Sequence, residues 1–233
     1  MTAEIDKCTL PVIAIDGPSG SGKGTLSSLL AQRLGWNLLD SGALYRIVAL
    51  MAARAGLIFN QDSTMEEALA IAKLTASLSI RFLGQKVFVN SLEVTDEIRR
   101  EDVSIGASIV ATFSPVRKEI LGLQRAMQDS PGLIADGRDM GTVVFPNAEL
   151  KVFLDASAKA RADRRYKQLK NKGLDVKLPD LLASIKERDE RDRGRSESPL
   201  IPADDAVVID STGLTVEQVL EQVCLEGKSR GLF

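Results

Sequence analysis

The stretch Val12–Thr25, VIAIDGPSGSGKGT, decides the fold. Its first five residues form a short apolar run, as expected of a strand buried on both faces, and a helical pattern follows over Lys23–Leu34. Between them, glycines let the backbone wrap closely around an anion, while inward-pointing N–H groups and the start of the helix supply partial positive charge. Lys23 adds a full positive charge suited to the β- and γ-phosphates of a nucleotide. The stretch therefore predicts a phosphate-binding loop rather than an ordinary glycine-rich turn.

Four further short runs are largely apolar and also end on aspartate, and most of the runs are separated by helical patterns. The runs are Asn37–Asp40, Leu133–Asp136, Lys151–Asp155 and Ala206–Asp210. The helical patterns are Ala43–Ala55, Met65–Ser77, Pro115–Gln128, Ala158–Lys170, Leu178–Arg191 and Val216–Glu226. This alternation predicts an α/β fold with a parallel sheet. Because such sheets present ligand groups beyond the carboxyl ends of their strands, we expect one site rimmed by loops.

One segment departs from the alternation. Leu78–Phe82 and Lys86–Val89, joined by Leu83-Gly84-Gln85, predict an antiparallel hairpin. Together with Leu92–Ile98 they predict a small β-rich insertion between the second helix and the third core strand. We expect residues 1–233 to form one domain, with this insertion at about residues 62–101.

Composition excludes several classes of function. The chain has 233 residues, a net charge of −2, no histidine and two cysteines, Cys8 and Cys224. It therefore holds no histidine-based triad, disulfide framework or zinc site, and both cysteines are expected to have packing roles. No apolar stretch approaches the roughly 18 residues of a membrane span, and the initial MTAEIDKCTLP lacks a signal-peptide core. The sequence predicts a cytoplasmic protein without a membrane partner.

The end of the glycine-rich loop narrows the class of nucleotide enzyme. Such loops generally end in Gly-Lys followed by Ser or Thr, whereas here Gly24 follows the lysine and Thr25 comes one place later. This is the version that nucleoside monophosphate kinases carry, and it leaves open whether Thr25 contacts Mg²⁺ directly or through water. A GTPase is disfavoured, because the stretch Asn171–Asp175 has its aspartate one residue too late for a guanine-reading motif.

Three later clusters are candidates for binding an acceptor. They are DSGALYR at Asp40–Arg46, DGRDMG at Asp136–Gly141 and KERDERDRGR at Lys186–Arg195. Guanidinium groups suit phosphate, although a helix cap, a buried Arg–Asp pair and a surface salt-bridge ladder are the respective structural alternatives. On a helix, Arg188, Asp192 and Arg195 share one face.

The basic stretch at residues 157–197 carries a net charge of +5, as a solvated pair of helices or an RNA-binding surface could. It has only one aromatic residue, Tyr166, for stacking on bases. We therefore expect no nucleic-acid partner.

In order, the motifs GPSGSGKGT, LLDSGALYR, PGLIADGRDMGTVVFP, KVFLDAS and IKERDERDR closely resemble those of bacterial cytidylate kinase, from about residue 11 to about residue 225. The resemblance implies a P-loop NTPase-type three-layer fold with a five-stranded parallel sheet. It also implies a β-rich monophosphate-binding insertion and a short lid at about residues 157–172. It further implies a monomer that phosphorylates CMP or dCMP with ATP and Mg²⁺. Open alternatives are a P-loop kinase for UMP or a shikimate-like acceptor and a nucleotide-dependent RNA-binding module.

The resemblance also assigns residues. ATP would be bound by the loop residues Gly17, Pro18, Ser19, Gly20, Ser21, Gly22, Lys23, Gly24 and Thr25, with lid arginines Arg161, Arg164 and Arg165. CMP would be bound by Ser41, Tyr45, Arg46, Ser108, Arg117, Arg138, Asp139, Arg188, Asp192 and Arg195. Of these, Ser108, Arg117 and Asp139 would read cytosine, Asp192 and Arg188 would meet the ribose, and Arg46, Arg138 and Arg195 would hold the phosphate. Lys23, Arg138 and Arg188 are the expected catalytic residues, and Thr25 the expected Mg²⁺ contact.

Overall fold

Short apolar strands and amphipathic helices alternate through most of the structure, a computed structural model that describes residues 10–84, 86–171 and 173–233. The strands are β1 (Val12–Asp16), β2 (Asn37–Asp40), β3 (Ile80–Leu83), β4 (Lys86–Val89), β5 (Leu92–Glu93), β6 (Leu133–Gly137), β7 (Leu150–Asp155) and β8 (Val207–Asp210). The helices are α1 (Lys23–Leu34), α2 (Ser41–Arg54), α3 (Met65–Ala76), α4 (Glu101–Val110), α5 (Ser114–Ala126), α6 (Ala158–Asn171), α7 (Leu178–Arg193) and α8 (Val216–Ser229).

Five of the strands form one parallel sheet in the order β2-β6-β1-β7-β8. The inner strands β1 and β6 are buried along their whole length, which explains their continuous apolar sequences. The register places Asp40 beside Asp136 and Asp16 beside Gly137, so the carboxyl ends of these strands meet at one edge. The α/β class and the five parallel strands are confirmed.

The chain divides into two compact units. The first contains the described residues up to Asp40 together with Arg125–Phe233, and the second is Ser41–Gln124. In the first unit, α1 and α8 pack on the sheet through apolar side chains that include Leu30 and Val223. Cys224 belongs to this core, which confirms its packing role.

The only tryptophan of the chain also belongs to the first unit. Trp36 packs against the sheet core and meets Phe233 edge-on, with 6.5 Å between the ring centroids. Its ring also covers Gly132, where a Cβ atom would lie 2.6 Å from the indole Cδ2. Because glycine has no side chain, residue 132 leaves room for the indole ring of Trp36.

The second unit contains α2, α3, α4, most of α5 and an antiparallel sheet in the order β3-β4-β5. The predicted hairpin is confirmed, with its first strand at Ile80–Leu83. The third strand is shorter than expected: β5 has two residues, and a 3₁₀ turn at Glu97–Arg99 follows. The prediction of one domain with an insertion at about residues 62–101 stays a prediction.

Two elements had no counterpart in the sequence prediction. One is α4, whose sequence EDVSIGASIV contains a glycine and several β-branched residues of low helix propensity. It forms because it packs closely against α2, where Gly106 admits the side chain of Ala49. The other is a five-residue π-helical turn, Met140–Val144.

Several sequence-based expectations lie outside the described residues. These concern Cys8 and the rest of residues 1–9, Gln85 of the hairpin connection and Lys172 near the end of the expected lid. In the described ranges, no helix has both the length and the apolar character needed to cross a bilayer.

Candidate functional site

The phosphate-binding loop connects β1 to α1 in the first unit. Gly17 has φ +153°, and a Cβ atom there would lie 2.1 Å from the carbonyl oxygen of Leu154, so only glycine fits. Gly22 has φ +101° and precedes the helix without a side-chain cap of its own. The first backbone N–H groups of α1 are therefore presented without a capping side chain, as anion-binding loops require.

Lys23, the first residue of α1, is the charged centre of this loop. Only 8% of it is exposed, and its Nζ donates to the carbonyl oxygen of Pro18 at 3.1 Å. The pKa of Lys23 is lowered to about 7, mainly by burial and also by the charges of Arg138 and Arg188, while Asp136 and Asp192 act in the opposite direction. The lysine therefore lies among charges contributed by the end of β6 and by α7, where a bound anion would be strongly favoured.

Asp192 organises the arginines beside this lysine. It is 1% exposed and accepts hydrogen bonds from Nε of Arg138, at 2.9 Å, and from Arg195. Burial alone would raise the pKa of Asp192, but Arg138, Arg195 and Arg188 outweigh burial and hold it below its usual value. An ionised carboxylate thus fixes the guanidinium groups. We call Lys23, Asp136, Arg138, Arg188, Asp192 and Arg195 the Lys23 cluster.

The structure corrects the expected placement of Arg195. Helical spacing predicted that Arg188, Asp192 and Arg195 share one face of a helix, but α7 ends at Arg193 and Gly194 caps it. Arg195 therefore lies beyond the helix, and it pairs with Asp192 because the chain turns at Gly194. The residues are brought together as expected, but by a helix end rather than by helical spacing.

Arg138 and Asp139 lie between β6 and the π-helical turn Met140–Val144. Asp139 is buried. The backbone N–H groups of Met140 and Gly141 donate to the two carboxylate oxygens of Asp16, at the end of β1. A strand-end aspartate thus joins the beginning of the phosphate loop to the segment that bears Arg138.

Two of the three expected lid arginines contact the loop backbone. Arg161 is buried, and its Nη1 donates to the carbonyl oxygen of Ser19 and to Asp189, both at 3.0 Å. Arg164 donates to the carbonyl oxygen of Ser21 at 3.1 Å and also bonds to Ser211. In this structure these guanidinium groups therefore brace the loop from outside. Arg165, on the same helix, is half-buried.

The second unit holds the remaining predicted CMP residues. Ser41 begins α2, and its Oγ accepts a 2.8 Å hydrogen bond from Nε2 of Gln124. Nη1 of Arg117 donates to the Tyr45 hydroxyl at 3.2 Å, and its guanidinium carbon lies 5.9 Å from the Tyr45 ring centroid. Ser108 is buried on α4 and Arg46 is half-buried on α2.

Several residues that support these side chains had no individual role predicted from the sequence: Asp16, Asp136, Gln124, Asp189 and Ser211. The position of Asp16 and Asp136 at strand ends was a usable signal, because such ends line ligand sites in parallel sheets. Gln124 carried no signal, since a polar residue in an amphipathic helix is usually solvent-exposed.

Known proteins resemble this chain along nearly its whole length. The family model for cytidylate kinase matches residues 13–228. A cytidylate kinase of Pseudomonas aeruginosa strain UCBPP-PA14 is 54% identical over 228 residues, covering 95% of this chain and 97% of the relative. One from Pseudomonas savastanoi pv. phaseolicola is 54% identical over 232 residues, with 97% and 99% coverage. One from Vibrio parahaemolyticus is 51% identical over 216 residues, with 91% and 93% coverage.

Proposed function

Because the chain belongs to the cytidylate kinase family, we propose that it transfers the γ-phosphoryl group of ATP to CMP or dCMP, giving CDP or dCDP and ADP. The observation that carries this proposal is the Lys23 cluster. It combines a phosphate loop with two arginines, Arg138 and Arg195, held by one buried carboxylate, and with Arg188, whose charge also acts on that carboxylate. Phosphoryl transfer needs mainly positioning and charge neutralisation, and this arrangement supplies both.

Residues Gly17–Thr25 bind the phosphates of ATP in this proposal. The backbone N–H groups at the start of α1 hold the phosphate oxygens, and Lys23 stabilises the charge that develops on the transferring group. Bound phosphate would return the pKa of Lys23 toward its ordinary value, because the anion stabilises the charged ammonium.

Arg138, Arg188 and Arg195 act on the acceptor side. Arg138 and Arg195 hold the phosphate of CMP, while Arg188 and Asp192 also meet its ribose, and Arg138 and Arg188 neutralise the transferring group. The pairing with Asp192 keeps the guanidinium groups oriented before the substrate arrives. The acceptor is already a phosphate oxyanion, so the reaction requires no general base, in agreement with a sequence that has no histidine.

Cytosine recognition is assigned to Ser108, Arg117 and Asp139. A carboxylate accepts from the N4 amino group of cytosine, and a guanidinium donates to N3 or O2. The contact between Arg117 and Tyr45 supports this role, because it restricts the guanidinium. Ser41, Tyr45 and Arg46 complete the proposed CMP contacts.

The lid arginines are proposed to serve ATP in two ways. Arg161 and Arg164 hold the loop carbonyls of Ser19 and Ser21, which keeps the loop in its phosphate-binding shape. Together with Arg165 on the same helix, they are also proposed to bind the phosphates of ATP.

Mg²⁺ is proposed to accompany ATP. Thr25 offers a hydroxyl, and the carboxylate of Asp136 reaches the loop, since Oδ2 lies 3.4 Å from where a Cβ of Gly24 would be. Oxygen donors of this kind fit Mg²⁺, which keeps several water and phosphate ligands. Throughout the described ranges there is no group of three or more acidic, cysteine or histidine side chains able to hold a metal alone. Bound there, the ion would neutralise charge on the β- and γ-phosphates.

We also propose that the enzyme is a cytoplasmic monomer that engages neither membrane nor nucleic acid. Its proposed substrates are free nucleotides, and the net charge of −2 gives no general attraction to anionic polymers. Size-exclusion chromatography with light scattering and cell fractionation would test the first two points, and a salt-dependent RNA-binding assay the last.

A substrate panel tests the proposed function. Coupled assays with ATP and Mg²⁺ would compare CMP, dCMP, UMP, AMP, GMP and shikimate as acceptors. We expect CMP and dCMP to have the highest kcat/KM. Higher turnover of any of the other four would contradict the proposal.

Lys23→Ala should lower kcat by about two orders of magnitude or more, and a change below about tenfold would show that the lysine is not central.

A further inference from the structure

Asp16 makes two hydrogen bonds that join distant parts of the sequence. It is the last residue of β1, and only 5% of it is exposed. Its Oδ1 accepts from the N–H of Met140 and its Oδ2 from the N–H of Gly141, each at 2.8 Å. Hydrogen bonds to a carboxylate are among the strong ones in proteins.

The π-helical turn Met140–Val144 needs this partner. Its first N–H groups have no acceptor inside the turn, where the bonds begin with Val143 and Val144 donating to the carbonyl of Asp139. The side chain of the residue before a helix usually satisfies such groups, but Asp139 makes no capping bond. Asp16 therefore caps the turn from another strand, and the carboxylate of Asp139 is not used for that purpose.

The other end of the turn is held by a charge of opposite sign. Nε of Arg125 donates to the carbonyl oxygen of Val144 and Nη2 to that of Val143, both at 3.1 Å. A carboxylate at the N–H end and a guanidinium at the carbonyl end match the direction of the turn's peptide dipoles. The side chain of Met140 also packs on Gly137, where a Cβ atom would lie 2.7 Å from the methionine methyl carbon. The turn is therefore fixed at both ends and against β6.

From this geometry we infer that Asp16 is a positioning residue for phosphoryl transfer. By holding the turn Met140–Val144, it sets the positions of Arg138 and Asp139, which lie between that turn and β6. The inference rests on the proposed function, in which these two residues contact CMP. Asp16 directly precedes Gly17, so the loop for the donor and the segment for the acceptor share one anchor. Its effect should therefore appear in the use of CMP more than in the binding of ATP.

The test compares Asp16→Asn with a matched control. Asparagine keeps the shape but loses the charge and one acceptor oxygen, leaving one of the two N–H groups opposite an amide nitrogen. Initial rates would be measured with CMP and ATP varied separately. We expect kcat/KM for CMP to fall about tenfold or more, with KM for ATP within about threefold of the parent.

The control is Glu149→Gln. Oε2 of Glu149 accepts from the N–H of Val12 at 2.7 Å, so the same chemistry operates at the opposite end of β1, away from the loops. We expect its kcat/KM for CMP to stay within about twofold of the parent value. A loss in Glu149→Gln as large as that in Asp16→Asn would overturn the inference, because support of the strand alone would then explain both.

A second measurement does not depend on the reaction. Amide hydrogen exchange at Met140 and Gly141 in the protein without substrates should be about tenfold faster in Asp16→Asn than in the parent. Unchanged exchange would overturn the inference even if CMP proved not to be a substrate, whereas failure of the proposed function would appear as a parent protein that does not phosphorylate CMP.

Two kinetic outcomes would also overturn the inference. One is a folded Asp16→Asn protein whose kcat/KM for CMP stays within about threefold of the parent value. The other is a fall in kcat that is fully explained by a smaller fraction of folded protein, with the KM values for CMP and ATP unchanged. If Asp16→Asn does not fold, Asp16→Ser, whose hydroxyl retains one acceptor, is judged by the same readouts.

Discussion

Asp192 and Arg138 form a buried ion pair in which Nε of the arginine lies 2.9 Å from the carboxylate. The pair connects α7 to the residue that follows β6, and its two members are 54 positions apart in sequence. Burying two charges is unfavourable unless they are paired, so neither residue is easily replaced alone. The same carboxylate also holds Arg195, and its loss would disturb two guanidinium groups at once.

We therefore expect Asp192→Asn to lower the free energy of unfolding by about 3 kcal/mol and kcat/KM for CMP by about a hundredfold. Urea unfolding and initial rates would measure the two effects. The matched control is Glu187→Gln on the same helix, whose carboxylate is 66% exposed and pairs with Arg191 at 2.5 Å. That change should cost below about 1 kcal/mol. Equal losses in the two variants would mean that the buried pair has no special role.

Nucleotide binding should be coupled to proton uptake at Lys23. Burial and the nearby arginines lower its pKa to about 7, so in most protein molecules Lys23 is neutral at pH 8. Phosphate groups beside it would raise that pKa, and the protein would bind a proton when it binds ATP. Isothermal titration calorimetry at pH 8, in buffers with different heats of ionisation, would measure the uptake. Lys23→Met supplies the control: any uptake that persists in this variant belongs to another group.

Asp16 should make stability depend on pH in a direction opposite to that of Asp192. Burial raises the pKa of Asp16 to about 7, with the nearby carboxylates of Asp139 and Asp136 adding to the effect and the two backbone N–H groups opposing it. The positive charge of Arg138 interacts with the negative charge of the Asp16 carboxylate. Because the folded pKa exceeds the unfolded value, the contribution of Asp16 is fully present below about pH 4 and is lost as the pH rises through 7.

Asp16→Asn removes this dependence. Relative to the parent, the variant should gain about 2 kcal/mol of unfolding free energy between pH 5 and pH 8, as measured by urea unfolding. The difference isolates Asp16, because other titrating groups are common to both proteins. Glu149→Gln should show no such gain, and a difference between parent and Asp16→Asn that is flat with pH would contradict the prediction.

Gln124 should matter for CMP through Ser41. Its amide donates to the Ser41 hydroxyl at 2.8 Å, and both residues are buried. Gln124→Met keeps the volume but removes that bond, which is worth about 1 kcal/mol, so KM for CMP should rise about fivefold with kcat nearly unchanged. Gln128→Met is the control, since Gln128 donates a similar bond to the carbonyl oxygen of Leu10. A larger effect from Gln128→Met than from Gln124→Met would refute the assignment.

Local sequence pattern predicted the elements that depend on local physics. Hydrophobic runs placed β1 and β2 at their observed bounds, and glycine spacing placed the loop before α1. The charged motifs also indicated Arg138 and Asp192, although not that they pair. What sequence pattern could not reveal are contacts between distant residues, such as Asp16 with Met140 across 124 positions. Helix α4 likewise follows from packing against α2 rather than from its own propensity.

The role of an arginine near the phosphate loop is even harder to predict from the sequence alone. A basic residue near a phosphate loop can face the ligand or brace the loop, and the sequence is the same in either case. In this structure Arg161 braces the loop, because its guanidinium donates to Asp189 and to the carbonyl oxygens of Ser19 and Ala156. Only the position of Asp189 on a neighbouring helix decides this.

The packing of Trp36 has a consequence for spectroscopy. It is the only indole in the chain and packs against Gly132 and Phe233, both in the first unit, while the second unit contains one tyrosine, Tyr45, and no tryptophan. Emission excited at 295 nm, roughly the edge of indole absorption, will thus follow the unfolding of the five-stranded sheet and will not report the unfolding of Ser41–Gln124. A fluorescence transition that differs from one followed by far-ultraviolet circular dichroism would reveal that the two units unfold separately.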